Sequence, residues 1–156
     1  MSERARSEAQ KDGWPWALFF ARWVLGLTFF MAGWWKTFAL GPVAHAQGYF
    51  VDGFAETWIP VFLLWALGWS IPWLELIAGG LVCLGFRLRE SLIVLGAILV
   101  IVTYGHLLQE PLYSLQSHIF IRLALLLFVL VGPRERDLLS VDGWLAARRR
   151  AAIQAE

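Results

Sequence analysis

The sequence predicts an all-α integral membrane protein: a four-helix bundle with an additional interfacial or re-entrant helix between spans one and two. Three observations carry this. The chain has 156 residues, of which 59% are hydrophobic and only 16% charged, against roughly 25% charged in ordinary soluble domains. Its apolar residues gather in continuous runs close to the roughly 20 residues that cross a hydrocarbon core. Those runs lack the alternation of barrel strands, and in lipid only helices and closed barrels satisfy their own backbone. A formal net charge of +1 gives no electrostatic case for nucleic acid. The single cysteine, Cys83, excludes an intrachain disulfide and internal dithiol exchange. Set in an apolar run, it reads as a small packing residue.

Residues 1–13 form a polar tail of mixed charge, residues 14–133 the membrane domain, and residues 134–156 a basic tail. No small-residue cleavage pattern follows the first apolar run, so that run reads as a retained helix. The spans fall at about Trp14 to Phe38, Ser70 to Phe86, Leu88 to Leu108 and Ser117 to Gly132, the fourth being short. Pro60 and Pro72 bracket a stretch too short to span, which predicts a separate helix over 59–70, at the outer interface or dipping in. Trp58, Trp65, Trp69 and Trp73 suit the headgroup level there. The rival reading is one long helix kinked at Pro72. The final stretch, PRERDLLSVDGWLAARRR, predicts an amphipathic helix with Leu138, Leu139, Val141, Trp144 and Leu145 on its apolar side.

Basic residues set the expected orientation. Arg4, Arg6 and Lys11, then Arg87 and Arg89, then Arg134, Arg136 and Arg148 to Arg150 fall on one side of a four-span chain. The two connections on the other side carry no Lys or Arg. By the positive-inside rule both termini are cytoplasmic, in a bacterial-type inner membrane.

That direction gives depth to the charges inside the spans, which are candidates for function because they are costly there. Lys36, Glu75, His106 and Arg122 come from four different spans and share one outer level. Tyr104 and His118 lie near them. Arg22 stands apart, about 12 Å of helix rise beyond Trp14, and needs carbonyls, hydroxyls, a carboxylate or a ligand oxygen. Arg22, Gly26, Phe29, Gly33 and Lys36 follow steps of four, three, four and three, which places them on one stripe. Gly26 and Gly33 admit the close approach of a helix or of a flat ligand. The plainer account keeps the charges structural, with Glu75 neutralising Lys36 or Arg122 to fix register. The convergence of four spans favours a polar pocket. His106 and His118 lie near adjacent span ends, but with three histidines in the chain, one in a loop, no haem or metal is expected.

The stretches ARWVLGLTFFMAGWWKTF, IPWLELIAGGLVCLGFRLRE and GPRERDLLSVDGW give the chain a resemblance to the DoxX family of small four-helix membrane proteins. The family pattern matches Arg22, Gly26, Phe30, Gly33 and Lys36 in helix one. It matches Glu75, Gly79, Gly80 and Gly85 in helix two, and Ser140 and Asp142 near the end. The resemblance covers about Trp16 to Trp144 and implies a membrane protein tied to respiratory or redox chemistry, without itself establishing an enzyme. The stretch YGHLLQEPLYSLQSHIF is not general to the family and enriches the outer cluster in His and Glu.

The leading expectation is a quinone-interacting subunit of an oxidoreductase, its electrons coming from a soluble or membrane partner. Glu75 and His106 would relay protons as the catalytic groups. Arg22, Gly26, Gly33, Lys36, Tyr104, His118 and Arg122 would line the ligand site. Quinone is the one cofactor this reading names. The alternatives are a non-catalytic anchor for a partner enzyme and a small-anion carrier, for which a homo-oligomer would supply the path.

Overall fold

The computed structural model describes residues 3–110, 119–133 and 137–154, and all regular structure among them is helical. Helix α1 (Glu3–Trp34) continues through a π-helical segment, Trp35–Leu40, and stops at Gly41 with φ 90°. Proline starts the short α2 (Pro42–His45), and a second π-helical segment, Ala46–Val51, follows. Helices α3 (Val61–Leu84), α4 (Leu88–Gln109), α5 (Ile121–Val131) and α6 (Val141–Gln154) complete the chain.

Three stretches are long and apolar enough to cross a membrane: Gly13–Leu40, Val61–Leu84 and Leu88–Gln109. Helices of this length and composition belong in a bilayer. α5 has 11 residues, or about 16 Å of rise, less than the core of a bilayer. The expected fourth span began at Ser117, which lies outside the described residues. Outward-facing Val24, Met31, Ile77, Ile93, Val100 and Val131 are exposed, as a lipid-wetted surface requires. Inside, α1 packs on α3 and α5, and α4 packs on the same two helices. Leu25 and Phe29 of α1 meet Ile71 and Val82 of α3, Leu92 and Leu95 of α4, and Leu126 of α5 in one core.

The closest packing is between α1 and α3, and glycine makes it possible. A Cβ on Gly26 would stand 2.8 Å from the Gly79 carbonyl oxygen, and one on Gly79 would stand 2.6 Å from the Phe30 nitrogen. At Gly33 it would run into the Leu76 backbone. Lipid gives little hydrophobic drive between helices, so backbone contact of this kind supplies the packing energy.

The separate helix expected over 59–70 does not form. α3 runs unbroken from Val61 through Pro72 to Leu84, so the rival reading of one long helix holds. Pro72 has no N–H for the carbonyl of Gly68, four residues earlier. That carbonyl is 2.7 Å from Nδ1 of His45 instead, so the ring donates an N–H there. His45 is buried, and burial is the main cause holding its pKa below the usual imidazole value. With the orphaned acceptor satisfied, the backbone has no need to break. The segment that folds back between the first two long helices is 42–57, ahead of the one expected.

Candidate functional site

The stripe on α1 reaches two polar clusters at opposite ends of the helix pair. The first surrounds Arg22, whose side chain is fully buried. Its Nη1 donates to the carbonyls of Cys83 at 3.2 Å and Val82 at 3.5 Å, the last turn of α3. Its Nη2 donates to the carbonyl of Leu139 at 2.9 Å and lies 3.6 Å from Asp137 Oδ1. Burial pushes the Asp137 carboxyl up from its usual range, and the guanidinium pulls it back down.

Gly85 makes room for this. It is left-handed, with φ 65°, and closes α3 with bonds from Phe86 N to the Leu81 carbonyl and from Gly85 N to the Val82 carbonyl. Any Cβ at Gly85 would collide with the Arg22 guanidinium. Asp142 ties the same corner from the other side. Its carboxylate accepts from the backbone N–H of Arg87 and Leu88 at 3.2 and 3.1 Å, capping α4 across 55 and 54 residues. Ser140 accepts from Gly143 N at 3.0 Å and donates to the Asp137 carbonyl. Arg22 therefore sits level with the α3–α4 turn, with protein carbonyls and a carboxylate as its partners.

The second cluster surrounds Lys36. Its Nζ lies 2.6 Å from Glu75 Oε2, and Glu75 is buried at 2% exposure. The pair stands on a cavity of about 220 Å³ that Phe29, Ile98, Leu99, Val102, His106, Ile119 and Arg122 complete. The Arg122 guanidinium is 5.3 Å from the centroid of the Phe29 ring. A second, more apolar cavity of about 360 Å³ adjoins it, sharing Lys36, Val102 and His106. Trp35, His45, Tyr49, Phe50, Phe54 and Gln109 line that space.

The structure thus brings Lys36, Glu75, His106 and Arg122 onto one cavity from α1's extension, α3, α4 and α5. Arg22, Gly26 and Gly33 do not line either cavity: the arginine holds the far end, and the glycines face α3. Tyr104 is half exposed and lines neither. His118 lies outside the described residues. The aromatic wall of Tyr49, Phe50 and Phe54 escaped sequence reasoning, because a stretch between spans reads as loop. The one signal was its aromatic spacing of four, Phe50 to Phe54, with the two rings 6.2 Å apart. Asp137 escaped too, although the expected topology puts it at the same end as Arg22.

Comparison with protein-family models, with curated proteins and with solved structures returns no match.

Proposed function

We propose that the protein is a DoxX-like inner-membrane subunit with four crossings and both termini cytoplasmic, whose paired cavities bind a quinone. The observation that carries this reading is that the two cavities share Lys36, Val102 and His106 in their walls. An apolar space with aromatic walls suits a flat ring and its tail. The charged space suits the ring oxygens, with Lys36 or Arg122 set against developing negative charge. Together the two spaces fall in the range of about 300–1,000 Å³ usual for small-molecule sites.

Reduction of a quinone to a quinol takes up two electrons and two protons. Glu75 and His106 line the charged cavity and would pass the protons, and a partner redox protein would supply the electrons. The test is titration of the purified protein with a ubiquinone or menaquinone analogue, alongside Lys36→Ala, Glu75→Gln and Arg122→Ala. Saturable binding that weakens in all three variants supports the reading. Absence of binding, or equal binding by every variant, rejects it.

A second reading, an anchor for a soluble partner, draws on α6. Trp144 of that helix is exposed with Arg148 stacked 4.2 Å over its ring, and Asp142 in its first turn ties the helix to the start of α4. Recovery of a soluble enzyme with the full chain, lost on Trp144→Ala, would favour it.

A further inference from the structure

The charged cavity holds an uneven set of charges. Lys36 and Glu75 neutralise each other at 2.6 Å. Arg122 lines the same wall, and among the described residues it has no carboxylate within ion-pair distance and no acceptor for its N–H donors. Its described partner is the face of Phe29, which answers the charge but accepts no strong hydrogen bond. The surplus is at least one positive charge, whatever state His106 holds. A guanidinium half-buried in a membrane helix, with its forked donors unused, is a ready partner for an anionic oxygen.

Building on the quinone reading, we infer that this site selects the ionised form of its ligand: an apolar ring carrying an acidic hydroxyl that is deprotonated at neutral pH. Arg122 would hold the anionic oxygen, the Lys36–Glu75 pair would exclude a second anion, and the Tyr49, Phe50 and Phe54 wall would hold the ring. A neutral quinone of the same size lacks the charge that Arg122 leaves unmatched. A small inorganic anion lacks the apolar body that the larger cavity accommodates. The selecting element is the surplus cation Arg122 set beside an aromatic space.

The test compares three probes on the full-length protein in lipid nanodiscs at neutral pH by isothermal titration calorimetry. They are 1,4-naphthoquinone, its 2-hydroxy derivative, and decanoate as an anionic oxygen on a flexible chain. The hydroxy compound should bind at least about tenfold more tightly than the neutral quinone, as one charge contact in a partly solvated site allows. Arg122→Gln should reduce that preference to within about twofold, and Arg122→Lys should keep most of it. Equal binding of the two quinones overturns the charge selection and leaves the ring site standing. Decanoate binding as tightly as the hydroxy compound supports the charge selection and overturns the ring reading alone. Binding of none of the three overturns both.

Discussion

The two ends of the α1 stripe solve the same problem in different ways. Both carry a cation into an apolar bundle. At one end Arg22 is fully buried and its two Nη groups donate to carbonyls of the α3 C-terminus and to the Leu139 carbonyl, with Asp137 alongside and Nε left without a hydrogen-bond partner among the described residues. At the other, Lys36 meets Glu75 beside open space, with the unmatched Arg122 on the same wall. A charge consumed by backbone acceptors holds helices together. A charge left beside a cavity is available to a ligand. Residue type alone does not separate the two cases; the surrounding volume and the supply of acceptors do.

The largest expected effect falls at the closed end. Arg22→Met leaves Asp137 buried without its partner and strips the Leu139 carbonyl. Loss of about 3–5 kcal/mol is expected, read as a fall in the thermal unfolding midpoint in detergent. An unchanged midpoint would break the comparison. Next is the seam between the ends. Gly33→Ala drives a methyl into the Leu76 backbone and should cost about 1–3 kcal/mol, with the shift appearing in the same melt.

His45 gives a smaller, pH-dependent term. Burial holds its folded-state pKa below the unfolded value, so the unfolded chain takes up the proton first. The stabilisation is complete above the ordinary imidazole pKa of about 6.5 and is lost as pH falls through the window beneath it. Melts between pH 8 and pH 5 should show this slope, and His45→Gln should flatten it. At the open end, replacing both partners at once, Lys36→Met with Glu75→Met, should change stability least, by about 1 kcal/mol or less, because a buried pair exchanged for apolar side chains is often neutral. The same double variant should bind a quinone analogue at least about tenfold more weakly, measured by titration calorimetry.

Much of this contrast was legible in the sequence. The stripe from Arg22 to Lys36 needed only helical spacing, and the gathering of Lys36, Glu75, His106 and Arg122 needed only the direction of each span. The continuity of α3 was not legible, because the residue that rescues Pro72 is His45, 27 positions away in sequence, and local proline rules see no such partner. The π-helical turns at Trp35–Leu40 and Ala46–Val51 carry no hydropathy signature, so the aromatic wall they help position was hidden as well. The fate of Arg22 turned on Gly85 and Leu139, whose contributions are a backbone conformation and a carbonyl. Neither is a property of a side chain that a sequence displays.

The central claim is that the Lys36 end holds a ligand while the Arg22 end holds the fold. The most direct measurement is the rise in unfolding temperature that a quinone analogue produces in the parent, in Arg22→Lys and in Arg122→Ala. Ligand at about 100 times its Kd adds about 2.7 kcal/mol to a protein that binds it. The account predicts a clear rise in the parent, a similar rise from a lower starting temperature in Arg22→Lys, and a rise of about half that size in Arg122→Ala, as an about tenfold weaker Kd gives at the same ligand concentration. No rise in the parent, or a rise that is undiminished in Arg122→Ala and disappears in Arg22→Lys, would contradict it.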